Sequence, residues 1–229
     1  MLNYRLADTV IALETVRPGA QELLKGYRTD EEAEYVITTS PEDIEEERER
    51  SEEKSFGDRY YELLAVHRKL SRALLAKDVL LFHGSALAMD GAGYVFAAPS
   101  GTGKSTHARL WRERFGGRVT MVNDDKPYLG IGRTCVTVYG SPWDGKHRLS
   151  TNTAAPLKAI AVIERAERNR LERMEPSEAV SALLQQSYRA EELDRIFPLV
   201  LRLAELVPVY KLRCNMDIEA ADVAYEGMR

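Results

Sequence analysis

The chain has 229 residues, 44% of them hydrophobic and 30% charged, enough to bury a substantial core as one large domain or as a small domain beside a main one. A net charge of −4 and a pI near 5.7 disfavour broad nonspecific nucleic-acid binding, so no nucleic-acid partner is expected. Cys135 and Cys214 lack the spacing of a disulfide framework or a zinc knuckle and read as ordinary reduced thiols. The first residues lack the basic start and long apolar run of a secretory signal, and no apolar stretch nears the roughly 20 residues that span a bilayer. A soluble, cytoplasmic protein with no membrane partner is the expectation.

Residues 3–15 mix β-branched and aromatic side chains, and Val10, Ile11 and Val16 favour one or two strands. A further strand is expected over Tyr35–Thr39. Glu42 to Lys54 holds eight acidic and three basic residues, the composition of a solvated helix or mobile loop. From Arg59 to Lys77, apolar residues at Leu63, Leu64, Val66, Leu70, Ala73, Leu74 and Leu75 mark one face of a helix. Its basic face carries His67, expected in solvent. The charged stretch before residue 58 is the best boundary, giving a small N-terminal α+β region, 1–57, and a main domain, 58–229.

After Asp78 the pattern becomes that of an α/β domain. Val79–Phe82 is a short apolar run ending in His83-Gly84-Ser85. Two strands are expected around a turn at Asp90-Gly91. The second, Tyr94–Ala97, leads into a glycine-rich loop, and a helix from His107 to Phe115 leaves it. Val119–Val122 is a strand that stops at Asn123-Asp124-Asp125. Strands follow at Cys135–Tyr139 and Ala159–Ile163. Helices are expected from Pro176 to about Arg189 and from about Glu192 to Leu206, then a strand from Val209 and a helix from Asp217. There is no internal repeat.

The loop carries the chemistry. Residues Ala98 to Thr106 read Ala-Pro-Ser-Gly-Thr-Gly-Lys-Ser-Thr, matching G-x-x-x-x-G-K-[ST] except that Ala98 takes the first glycine position. Alanine is tolerated there if φ is negative, because only a left-handed backbone demands glycine. Around Ser100 and Thr102, Gly101 and Gly103 let backbone N–H groups converge on phosphate oxygens, at a helix start whose dipole favours an anion. Lys104 is placed to reach the β- and γ-phosphates of a nucleoside triphosphate, and Ser105, followed by Thr106, to ligate Mg²⁺.

Asn123-Asp124-Asp125 lies at a strand end about twenty residues beyond that loop, where ligands collect in α/β sheets. One carboxylate can hold Mg²⁺ and the other can take a proton from an attacking hydroxyl. Crowding raises the proton affinity of such a pair. An Asx-type turn before Pro127 is the structural alternative. Farther on, Gly140 to His147 reads Gly-Ser-Pro-Trp-Asp-Gly-Lys-His. Lys146 could neutralise charge on transferring phosphoryl oxygens and Asp144 could complete a metal shell. Trp143 could stack on a substrate or cap the core, and Arg148 is an equal candidate for a phosphate clamp. An exposed turn with a buried tryptophan is the plain alternative. His107 could approach a nucleotide or simply pack, whereas Arg112, Arg114 and Arg118 read as a solvated helix face.

With His83-Gly84-Ser85, the loop and Asp124-Asp125 in this order, the chain resembles the catalytic domain of HPr kinase/phosphorylase over roughly residues 79–215. That family is related to the ATP-type phosphoenolpyruvate carboxykinases. It includes small relatives that phosphorylate serine in peptides, such as lasso-peptide precursor kinases, or free serine, and these look closest in length. The resemblance implies a P-loop kinase core, ATP and Mg²⁺ as cofactors, and a serine-containing peptide or protein as substrate. It implies His83 near the transferring phosphoryl group, Asp124 as general base, Asp125 in the metal and hydroxyl network, Lys104 on phosphate and Ser105 on magnesium. Lys211 and Arg213 fall where the family has a strand and a basic loop near the acceptor. The family's Glu-x-Arg-Gly segment has no counterpart; Gly140–His147 stands in its place, so the resemblance does not carry HPr as substrate or phosphorolysis over to this chain. Free serine or another small alcohol is the rival acceptor. A nucleotide-driven ATPase switch and an inactive binding module are rivals from other classes. No motif specifies the oligomeric state.

Overall fold

A computed structural model of the chain describes residues 1–187 and 192–229. They form two compact units, Met1–Lys77 and Asp78–Arg229. The division therefore falls twenty residues later than the boundary expected from charge.

In the first unit, β1 (Leu2–Leu6) and β2 (Thr9–Glu14) form an antiparallel hairpin. Its two-residue turn, Ala7 and Asp8, has φ of 45° and 62°, the primed geometry that matches strand twist. After α1 (Gly19–Leu23) come β3 (Arg28–Thr29) and β4 (Tyr35–Thr38), completing a sheet of order β3-β1-β2-β4. The acidic run folds as α2 (Pro41–Arg50), started by a capping box in which Ser40 and Asp43 satisfy each other's backbone N–H groups.

The apolar face predicted for residues 59–77 forms α3 (Asp58–Leu75), which packs on α2, α1 and β4. Those contacts place it in the first unit. His67 is buried rather than solvated, as are Tyr61, Glu62 and Ser71, because α3 is covered on more than its leucine stripe. Glu62 is held inside by the backbone N–H groups of Val16 and Arg17 and the hydroxyl of Thr39.

The second unit is mixed α/β. Its strands are β5 (Val79–Leu81), β6 (Gly84–Met89), β7 (Ala92–Ala97), β8 (Val119–Asn123), β9 (Tyr128–Ile131), β10 (Val136–Tyr139), β11 (Ala154–Arg165), β12 (Arg170–Arg173) and β13 (Val209–Cys214). The helices are α4 (Lys104–Phe115), α5 (Pro176–Gln186), α6 (Leu193–Leu206) and α7 (Glu219–Met228). The expected end of the helix starting at Pro176, about Arg189, lies outside the described residues; the described helix stops at Gln186.

The described strands follow the order β5-β9-β10-β11-β7-β6-β8, with β13 against β11 and β12 against β13. The long β11 joins the parts: residues 154–156 pair antiparallel with β10, while its later residues run parallel to β7 and to β13. The β6–β7 hairpin turns at Asp90-Gly91, as predicted, with φ of 52° and 81°. One face of the sheet is covered by α4 and α7. There Trp111 is fully buried against Tyr94, Phe96, Phe115 and Tyr225, with ring centroids 5.1–5.7 Å apart. That core fixes α4 against β7 and so fixes the loop between them.

Candidate active site

The loop sits where a central parallel strand ends and a helix begins. Ala98 is completely buried and lies outside the left-handed region; the positive φ values belong to Gly101 (78°) and Gly103 (132°). Glycine is therefore needed at the latter two and not at residue 98. Gly103 precedes α4 without any side-chain cap, which leaves the first-turn N–H groups available to an anion. Lys104 Nζ donates to the Ala98 carbonyl at 2.9 Å and the Pro99 carbonyl at 3.5 Å. Burial lowers its pKa, against the pull of Asp125 and Asp124. From the end of β11, Arg165 clamps the loop by donating to the carbonyls of Gly101 and Thr102.

Two neighbouring strands bring the remaining groups together. β6 and β8 are antiparallel, with Ala86 opposite Asn123, so Ser85 comes to face Asp124. Ser85 Oγ donates to Asp124 Oδ1 at 2.9 Å, and Ser105 also favours the ionised form of this carboxylate. Asp124 is only 4% exposed, and burial raises its pKa despite the two serines. His83 is half-buried just before β6. Its Nδ1–H donates to Gln186 Oε1 at 3.1 Å, and Nε2 lies 3.7 Å from Asp125 Oδ1. Burial and then the Lys104 charge lower the His83 pKa, so the ring is neutral at pH 7.

Asn123 organises the carboxylates. Its Oδ1 accepts from the N–H groups of Asp125 (2.9 Å) and Lys126 (2.6 Å), an Asx-type turn. Its Nδ2 donates to Ser141 O and Trp143 O, tying the Gly140–His147 segment to the turn. The turn and the serine–carboxylate cluster thus coexist, with Asn123 making the one and Asp124 the other. A Cβ on Gly145 would lie 3.0 Å from Asp124 Oδ2, so glycine permits the close approach of that segment.

The residues of Gly140–His147 and the outlying basic groups divide. Asp144 accepts from Gly145 N, Ser150 N and Ser150 Oγ, so both of its oxygens hold the loop. Lys146 is exposed and has no ion-pair partner among the described residues. Trp143 is half-buried, and Arg148 is exposed with φ of 49°. His107 packs: its Nε2 accepts from Trp111 Nε1 at 3.1 Å, its ring lies 4.5 Å from Phe96, and burial pushes its pKa down to about 3. Lys211 and Arg213 are paired with Glu164, Glu172 and Glu178. Arg114 is bound to Asp222 and Arg118 to Asp90.

Gln186, Ser150 and Arg165 carry no signal in the sequence, and Ser85 stands there only as part of His83-Gly84-Ser85, with no role of its own. The signal available for Ser85 is alternation, which along an extended chain puts it on the same side as His83. Two cavities flank the loop. One of about 430 Å³ is lined by Gly101, Gly103, Thr106, Ile163, Arg165 and Cys214. The other, about 650 Å³, starts at Ser105 and Asp124. A cavity of about 680 Å³ in the first unit, lined by Arg17, Arg28 and Arg59 among others, contains none of these groups.

Together these features define a mixed α/β protein with a glycine-rich strand–loop–helix turn beside a buried carboxylate. No protein-family model matches the chain, and no curated protein matches it. Among solved structures, the HPr(Ser) kinase/phosphatase from Coxiella burnetii is similar over 64% of this chain and 95% of its own, with 11% sequence identity and a TM-score of 0.37. At that distance no residue role is transferred from it, and the chemistry of the site stands on the side chains described above. Among the described residues no helix is long and apolar enough to cross a membrane.

Proposed function

We propose that the second unit is a Mg-ATP-dependent kinase that transfers the γ-phosphoryl group to a serine-type hydroxyl of a peptide or protein. The observation that carries this reading is Asp124: a buried carboxylate with raised proton affinity that lines the same cavity as Ser105, in the first turn after the loop. A carboxylate so placed is suited to accept a proton at the phosphoryl-transfer centre.

The fit to magnesium rests on oxygen donors at the loop. Ser105 and Asp125 would hold the ion, and among the described residues no three His, Cys, Asp or Glu side chains form a closed cage. A few protein oxygens completed by phosphates and water is how Mg²⁺ is usually held. When bound, it supplies charge neutralisation on the phosphate oxygens. Asp144, with both oxygens engaged in its own loop, serves to position that segment.

The chain's own groups do the rest. The loop amides and Lys104 bind and orient the phosphates, and the cavity of about 430 Å³ beside Arg165 receives the nucleoside. The acceptor oxygen bonds to the γ-phosphorus, the bond to the β–γ bridging oxygen breaks, and the acceptor proton passes to Asp124. Ser85 holds that carboxylate, Asn123 Oδ1 holds the Asp125 backbone N–H, and Gln186 orients the neutral His83 ring. Labelled ATP incubated with serine peptides tests the reading: phosphopeptide forms if it holds, and free phosphate alone would favour an ATPase.

A further inference from the structure

We infer that the groove beside Asp124 binds the phosphoryl acceptor and that Arg112 makes it select a peptide with an acidic side chain about three residues from the acceptor hydroxyl. This inference rests on the kinase reading for the meaning of the acceptor, but not for the binding itself.

The cavity of about 650 Å³ has Asp124 and Ser105 at one end and continues along α4 past Arg109 and Arg112. Ser105, Arg109 and Arg112 recur at offsets of four and three, which puts them in one row on the helix. Met121 and Leu149 line the groove as well and give it apolar surface. A groove that begins at the base and runs on along a helix suits an extended chain better than a small alcohol.

Its charges are not equivalent. Arg109 is bound to Glu113 at 2.6 Å. Arg114 and Arg118, next along the chain, are bound to Asp222 and Asp90. Arg112 is half-buried in the groove and has no hydrogen-bond or ion-pair partner among the described residues. A guanidinium presents a planar fork of donors that fits a carboxylate. Seven residues of helix separate Ser105 from Arg112, about 10 Å of rise. An extended peptide covers that length in about three residues. The unmet donors of Arg112 therefore face the place where a side chain three residues from the acceptor would lie.

The test uses the full chain and serine peptides with Asp placed singly at each position up to four residues either side, against Ala and Lys counterparts. With Mg-ATP, kcat/KM is expected to be roughly tenfold higher for Asp about three residues away on one side, the worth of one charge-assisted hydrogen bond. Arg112→Glu should reverse the order to favour Lys, and Arg112→Ala should erase it. The same peptides with Ser→Ala, fluorescently labelled, give a binding readout by anisotropy that needs no turnover. Equal affinity for the Asp, Ala and Lys peptides, or a preference that survives Arg112→Glu, overturns the inference. Arg112-dependent acidic binding without phosphate transfer would instead sink the kinase reading and leave the groove assignment standing.

Discussion

Ser85 Oγ donates a hydrogen bond of 2.9 Å to Asp124 Oδ1, across a strand pair whose register puts Ala86 opposite Asn123. The bond does two things at once: it orients the carboxylate, and it favours the ionised form that a base requires.

Ser85→Ala should therefore raise the proton affinity of Asp124 further. The acid limb of the pH–rate profile is expected to move to higher pH, while KM for ATP changes little. The profile of kcat between pH 4 and 8 checks it. A limb that stays in place would remove Ser85 from the base's environment.

Asp124 itself should trade stability for activity. Burial raises its pKa, so the ionised carboxylate costs folding free energy at neutral pH. A group with a raised folded-state pKa stabilises below its unfolded value and loses that contribution as pH rises through its folded value. Asp124→Asn, which cannot ionise, should be more stable than wild type at pH 7, by about 0.5–1 kcal/mol. The advantage should vanish as pH falls toward the ordinary Asp value of 3.8. Urea melts at pH 7 and pH 4 measure both ends.

The loop makes opposite predictions for two of its positions. Ala98 has no positive φ, so Ala98→Gly gains nothing in ATP affinity and loses about 0.5–1 kcal/mol through the freer unfolded chain. Gly103, at φ of 132°, is in a conformation costing about 1–3 kcal/mol for other residues. Gly103→Ala should weaken nucleotide binding or stability by that order, although the added Cβ meets no atom within 4 Å. Calorimetric ATP titration and thermal melts separate the two effects.

His107 should show in acid stability. Burial holds its folded-state pKa at about 3, whereas the unfolded ring titrates near 6.5. Its contribution is therefore complete above pH 6.5 and is lost as pH falls from there toward 3, at up to about 1.4 kcal/mol per pH unit. His107→Gln, which can still accept from Trp111, should flatten that part of the stability curve. An unchanged slope would contradict a buried neutral imidazole.

What was legible in the sequence was local. The Asp90-Gly91 turn and the tolerance of alanine at residue 98 follow from φ requirements carried by single residues, and the strand before it from a short apolar run. Most strands and helices of the second unit follow from short-range periodicity. What escaped depends on register between distant segments. Gln186 reaches His83 across more than a hundred residues, Ser150 meets Asp144 and Asp124 through a loop, and Arg165 clamps Gly101 from another strand. The burial of His67 is not legible because α3 is covered on more than one face, which a single helical stripe does not reveal. The unit boundary moved for the same reason: the charged run is a capped helix packed on α3 and not a linker.

Transfer of label from γ-labelled ATP to serine peptides, by wild type and Asp124→Asn side by side, tests the central claim most directly. Wild type should yield phosphoserine, and Asp124→Asn should be slower by about 10²–10⁴-fold while still binding Mg-ATP. Equal transfer by the two proteins, or release of free phosphate with no labelled peptide, would contradict the account.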